Sequence, residues 1–429
     1  MQYYSLHNEA PNVTFSEAVI KGLAPDRGLY FPENITPLPD SFFENIEDLD
    51  NVEIAYQAIQ QFVGDEIPEN ELRDILSDVL SFDFPVVEIN DTIGTLELFH
   101  GPTMAFKDVG ARFMARCLGY FNKDNDNNVT VLVATSGDTG GAVANGFLGV
   151  KGVDVVILYP SGKVSDIQEK QLTTLGQNIT ALEVDGVFDD CQEMVKTAFL
   201  DTSITDHKQL TSANSINVAR WLPQLFYFIF AYKQLKKKNK EIVFSVPSGN
   251  FGNICAGIVA YKLGLPVKHF VASTNVNDTV VRYLETENYN PKPSKATISN
   301  AMDVGNPSNF IRIQQLFDNN FASLKNYFSA YSFDDNQTKK AMMEIFDTTG
   351  YIADPHGAVG YLGLKEHTLS SNEYGVFLET AHPVKFLPVV EETLKTSIKI
   401  PAQIEKVMNK KQYSIKIDTY KKLKEYLLK

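Results

Sequence analysis

Short, continuous apolar runs limit what this chain can fold into more than any other feature. They are TLELF (95–99), VTVLVA (129–134), VDVVILYP (153–160), ITALEV (179–184), EIVFSV (241–246), VKHFVAS (267–273) and YGVFLET (374–380). Most do not alternate with polar residues, the pattern of strands covered on both faces in a parallel sheet. Helix-like segments at 139–149, 165–175, 187–199, 214–237 and 252–263 separate many of them. Strand and helix in alternation predict an open α/β architecture.

The flanks read differently. Residues 1–92 are richer in Pro and acidic residues, with helical patterning in IAYQAIQQFVG and ENELRDILSDVL. They are expected to form a separate, mainly helical N-terminal domain, leaving 93–429 as two α/β lobes. The polar, Asn-rich stretch near 285–350 reads as a helical insertion or peripheral layer. QYSIKIDTYKKLKEYLLK, at the end, reads as a basic amphipathic helix turned to solvent.

With 429 residues the chain can bury a large core without disulfide staples. Its net charge of −14 argues against nucleic acid or an anionic membrane as main partner. A site for a phosphorylated ligand must then concentrate its cations locally. Cys117, Cys191 and Cys255 show neither metal-ligand spacing nor a disulfide framework, so no metal is expected. With no apolar run of membrane-spanning length and no signal-peptide pattern in MQYYSLHNEAPNVTF, a cytoplasmic setting is expected.

Chemistry concentrates in loops after the expected strands, where open α/β sheets bind ligands. In FHGPTMAFKDVG, Gly101 and Pro102 stop a strand and Thr103 is a possible helix cap. Lys107 follows the apolar Met104, Ala105 and Phe106. Desolvation there would yield the neutral amine that imine formation requires. ATSGDTGG places Ser136, Gly137, Asp138 and Thr139 in a tight turn before a helix, a possible carboxylate holder. VPSGNFGN places Ser248, Gly249, Asn250, Phe251, Gly252 and Asn253 between strand and helix. That is a cradle for one phosphate group, with Gly249 and Gly252 allowing close approach or positive φ. Neither a dinucleotide fingerprint nor a Walker A loop is present. Thr380 ends the last strand, where its hydroxyl could meet a ring nitrogen.

A lysine amine, an anion-binding turn and a monophosphate cradle together describe a pyridoxal phosphate site. HGPTMAFKDVG, ATSGDTG, NSINVARW, VPSGNFGN, TNVNDTV, SNAMDV and GLAPDRGLYFP resemble, in order, segments of the threonine synthase family, and they span almost the whole chain. The resemblance implies a fold type II (tryptophan synthase β-like) architecture, with pyridoxal 5′-phosphate as a Schiff base on Lys107. It implies that Gly249, Asn250, Phe251 and Asn253 hold the cofactor phosphate and that Thr380 meets the pyridine nitrogen. Relatives often carry Asp where this chain has Asn253, and several fold type II enzymes carry Asn where it has Asp138. The 136–139 turn is therefore assigned to the substrate carboxylate.

The reaction implied is conversion of O-phospho-L-homoserine and water to L-threonine and phosphate. A phospholyase or dehydratase releasing a 2-oxo acid is the rival on the same scaffold. Asn214, Asn217 and Arg220 in TSANSINVARW are candidates for the substrate phosphate, with Arg112 and Lys163 as alternatives. His356 and His382 are expected to be structural.

Overall fold

The computed structural model describes residues 1–124, 128–135 and 137–429. Two sheets organise it. In the larger the spatial order is Phe328–Ser332, His269–Thr274, Glu241–Pro247, Glu373–Glu379, Ile93–Glu97, Val86–Glu88. Every neighbouring pair is parallel except the last. The smaller runs Ile415–Ile417, Ile179–Val184, Val153–Pro160, Val129–Ala134, Gln209–Thr211, all parallel. All six residues of Val129–Ala134 and all seven of Glu373–Glu379 are buried, as continuous apolar runs require when helices cover both faces.

Helices bury the faces that their spacing dictates. In Glu69–Val79 the buried residues are Leu72, Ile75, Leu76 and Val79, the i, i+3, i+4, i+7 stripe. Each such side chain contributes about 1.5–3 kcal/mol when fully withdrawn from water. The expected helix at 214–237 is instead broken into Val218–Trp221, a 3₁₀ turn Leu222–Gln224 and Leu225–Leu235. Pro223 explains the break, since it lacks the N–H that a continuous α-helix needs.

Three expectations about the flanks change. The boundary at 92 divides a hairpin, because Val86–Glu88 pairs antiparallel with Ile93–Glu97. The N-terminal region also carries a three-stranded sheet, Val13–Thr14, Gln2–Ser5, Tyr30–Pro32, and shares one hydrophobic core with the lobes. The 285–350 stretch supplies the edge strand Phe328–Ser332, so it is part of the large sheet rather than a layer outside it. In the C-terminal segment, Ile415–Ile417 is a strand. The helix that follows, Tyr420–Leu427, buries Leu423 and Leu427 in the small lobe's core. Among the described residues no helix is long and apolar enough to cross a membrane.

Candidate active site

The carboxyl ends of the two sheets face one cavity. Its lining includes Phe106, Lys107, Thr139, Asn214, Arg220 and Thr380, together with the 247–253 loop.

Lys107 begins the helix Lys107–Phe121. The turn before it is tight: Met104 N–H donates to Gly101 O at 3.0 Å, and Met104 adopts a left-handed φ of 58°. Backbone bonds then pin the turn to the end of the last strand. Phe106 N–H donates to Thr380 O at 2.8 Å, and His382 N–H to Met104 O at 3.1 Å. These bonds bring Lys107 and Thr380 together, though they lie far apart in sequence. Thr103 does not cap the helix, which starts after Phe106 without a side-chain cap. Instead its N–H and hydroxyl both donate to the buried Asp108 carboxylate.

Burial is the main cause that lowers the Lys107 amine to about 8, with Arg220 and Lys385 acting in the same direction and Asp138 against them. A cation at a helix N-terminus is disfavoured as well. The desolvated amine read from Met104, Ala105 and Phe106 is thus present.

The 248–253 loop follows Glu241–Pro247. Ser248 is tied back, its N–H to Ser273 O at 2.9 Å and its hydroxyl to Val246 O at 2.8 Å. The left-handed residue is Phe251, at φ 59°, and neither Gly249 nor Gly252 has positive φ. Gly249 is needed for close approach instead: a Cβ there would lie 2.9 Å from Ala301 O and from Met302 Cα. The Asn250 side-chain oxygen accepts from Ser308, and its backbone carbonyl accepts from Asn309. Helix Gly252–Lys262 begins with no side-chain cap, and its first-turn N–H groups lack intrahelical acceptors.

Buried polar atoms along this cavity lack hydrogen-bond partners among the described residues. They are both amide atoms of Asn253, Oδ1 of Asn214, Nε of Arg220 and Oε1 of Gln224. Leaving such groups unpaired costs about 1–3 kcal/mol each. Two of them, Asn253 Nδ2 and Arg220 Nε, are donors suited to phosphate oxygens, and the three amide oxygens accept. The set fits a phosphorylated ligand that also carries N–H or O–H groups, as pyridoxal phosphate with an amino-acid substrate does.

The small-lobe turn is partly committed to its own chain. Thr135 Oγ1 already accepts the N–H groups of Gly137 and Gly140, at 3.1 and 3.0 Å. The Asp138 carboxylate is buried, ion-paired to Lys385 at 2.7 Å and bonded to Gln168 at 3.1 Å. The turn thus keeps the N–H groups of Asp138 and Thr139 for a ligand, beside an anion at its first helical residue that is already paired. Of the four residues named, Thr139 lines the cavity, whereas Ser136 lies outside the described residues.

Asn217 is also structural. Its side chain caps Val218–Trp221 and donates to Val19 O at 2.8 Å and Ser212 O at 3.2 Å. As the cap it is committed to the fold, and it is not among the residues lining the cavity. Arg220 is the one arginine lining the cavity among the described residues, bonded to Ala213 O; burial lowers its guanidinium to about 10. Arg112 pairs with Asp78 at 2.9 Å and Lys163 is exposed, so both alternatives fall away.

His356 lines the cavity as a buried, oriented ring. Ala301 N–H donates to its Nε2 at 3.2 Å, so Nδ1 carries the proton toward Asp354 Oδ2, 3.0 Å away. His382 accepts from Val384 N–H, and burial lowers it to about 4. Lys385, Gln224 and Met302 escaped the sequence reading. Lys385 carried a usable signal, since apolar Val384 and Phe386 flank it, as apolar Phe106 precedes Lys107.

Comparisons with known proteins identify the family. Residues 95–378 match the family of pyridoxal-phosphate dependent enzymes, 2–79 the threonine synthase N terminus and 357–427 the threonine synthase C-terminal family. The chain is 44% identical over 431 residues to the threonine synthase of Buchnera aphidicola subsp. Baizongia pistaciae, covering 100% of each. The crystal structure of threonine synthase from Escherichia coli superposes with a TM-score of 0.93 at 42% identity, covering 100% of this chain and 99% of that one. The PLP-bound threonine synthase of Brucella melitensis gives 0.93 at 34% identity, covering 100% and 98%.

Proposed function

The chain belongs to the threonine synthase family of pyridoxal-phosphate-dependent enzymes, and from that premise we propose that its cavity converts O-phospho-L-homoserine and water to L-threonine and phosphate. The observation that carries this reading is one cavity holding a desolvated lysine, a strand-end threonine and a phosphate-sized loop with unpartnered donors.

In this reading Lys107 Nζ would carry the cofactor, and Gly249, Asn250, Phe251, Gly252 and Asn253 would hold its phosphate. The Thr380 hydroxyl would meet the pyridine nitrogen. Bound there, pyridoxal phosphate supplies an electron sink for charge developing on the substrate carbon chain. The Lys107 amine would then be the base available at the substrate Cα. An amine lowered to about 8 is neutral in a useful fraction near neutral pH, which suits it to remove the Cα proton as a general base. Arg220 offers Nε toward the leaving phosphate, a planar donor in a water-poor setting. Asn214 and Thr139 contribute polar contacts to the rest of the substrate. The cytoplasm is the proposed setting, supported by three buried, free cysteines.

Product analysis with O-phosphohomoserine tests the reading. Threonine and phosphate in equal amounts are expected, and 2-oxobutyrate as main product would overturn it in favour of a lyase.

A further inference from the structure

One buried ion pair joins the lobes across the site. Lys385 follows the last strand of the large sheet, in the 3₁₀ turn Pro383–Phe386, and its side chain is 0% exposed. Asp138 begins the helix after strand Val129–Ala134 of the small sheet, and its side chain is 6% exposed. The Lys385 ammonium donates to Asp138 Oδ1 and to Thr103 O, each at 2.7 Å. Gln171 of the small lobe adds a second donor to the same carbonyl, at 3.1 Å. Thr103 in turn holds Asp108, one residue past Lys107.

We propose that Lys385 is a positioning residue: its buried ammonium ties the turn presenting Lys107 to the small-lobe helix and neutralises the Asp138 carboxylate beside that amine. An isolated buried carboxylate is costly and strongly perturbs its neighbours, whereas a paired one is close to neutral at a distance. Burial pushes the Asp138 carboxyl up, yet Lys385 and then Lys107 outweigh burial and hold it below the usual carboxylate range. Lys107 feels burial first, then the attraction of Asp138 and the repulsion of Arg220 and Lys385. The other charged or titratable groups that act on Lys385 or through it are Asp108, itself raised by burial, and His382, which stays neutral. The amine's proton affinity therefore depends on a balance that Lys385 sets without touching the reacting atoms.

The assignment deepens the proposed function, because it matters for catalysis only if Lys107 carries the cofactor. The test reads the amine itself. Full-length chain, before cofactor is added, is labelled with acetic anhydride across pH, and acetylation of Lys107 is quantified by peptide mass spectrometry. Lys385→Met leaves the carboxylate unopposed, so the Lys107 midpoint rises by about one pH unit or more. Asp138→Asn leaves a buried ammonium unopposed, and the midpoint falls by a similar amount. The double variant returns toward wild type, and Lys385→Arg restores the wild-type midpoint.

A merely structural role loosens the site in both single variants and moves both midpoints upward. That result, or no movement in either, overturns the proposal. If Lys385→Met does not fold, Lys385→Gln keeps a donor to Thr103 O without the charge and must raise the midpoint. Borohydride reduction of the cofactor-loaded chain separately locates the adduct. An adduct elsewhere than Lys107 sinks the functional reading while the labelling still decides the Lys385 effect.

Discussion

The loop after Glu241–Pro247 and the turn after Val129–Ala134 hold equivalent places on their sheets, each running from a strand end into a helix. In sequence they look alike, SGNFGN against SGDTGG. In the large lobe the helix starts uncapped, Phe251 is held left-handed, and both amide atoms of Asn253 lack partners among the described residues. In the small lobe Thr135 has taken the N–H groups of Gly137 and Gly140, and Asp138 is locked to Lys385. A helix N-terminus binds an anion when its donors are still free. The small-lobe turn has spent two of its donors on its own chain and carries a paired anion. It therefore holds the lobe and a charge balance and keeps only the Asp138 and Thr139 N–H groups for a ligand.

The largest expected effect separates the covalent anchor from the phosphate grip. Lys107→Ala should lower turnover by more than ~10⁴, beyond the loss of a lone acid–base group. Because the large-lobe loop grips phosphate independently, the folded variant should still bind pyridoxal phosphate in equilibrium dialysis. Near-normal phosphate release would remove Lys107 from its role.

Arg220 belongs to neither loop. Arg220→Ala should reduce kcat/KM for O-phosphohomoserine by ~10–150-fold, the worth of one charge-assisted hydrogen bond, with cofactor affinity unchanged. A parallel fall in cofactor affinity would instead assign it to the large-lobe phosphate.

The third effect is on pH. Only the neutral amine captures the cofactor, and the Lys107 amine lies near 8 rather than 10.5. Capture should accelerate about tenfold per pH unit below 8 and level off above it. The sign for stability follows. A lysine lowered on folding opposes the fold when protonated, so its contribution improves as pH rises from about 8 to 10.5 and is constant below. Stopped-flow absorbance checks the capture rate; a plateau reached only near 10.5 would mean an ordinary, hydrated lysine.

Smaller still, Asn253→Ala should weaken cofactor binding by about 5–10-fold, roughly one hydrogen bond. It should leave the cofactor-free chain no less stable, since those amide atoms have no partner to lose. A drop in thermal midpoint without cofactor would mean the side chain serves the fold instead.

The same contrast explains what the sequence made legible. Continuous apolar runs forecast the strands, because burial on both faces is a local property of composition. Lys107 stood out because Met104, Ala105 and Phe106 precede it directly, and the cradle because its glycines are adjacent. The 214–237 break was legible in Pro223 and was passed over. The Asp138–Lys385 pair was not, since a turn's free or satisfied state depends on a partner brought in from the end of another sheet. Asn217 misled for a related reason: its amide is consumed by Val19, a contact created by tertiary packing. The strand Ile415–Ile417 is three residues long, too short for periodicity to declare.

The most direct test of the contrast compares pyridoxal phosphate with pyridoxal, which lacks the phosphate, by equilibrium titration of three chains. Wild type should favour the phosphorylated form strongly. Gly249→Val forces a side chain against Ala301 O and Met302 Cα, a strain of about 1–3 kcal/mol, and should erase most of that preference. Thr135→Val removes the small-lobe cap, at about 1 kcal/mol of stability, and should keep the preference intact. A preference retained in Gly249→Val, or lost in Thr135→Val, would contradict the account.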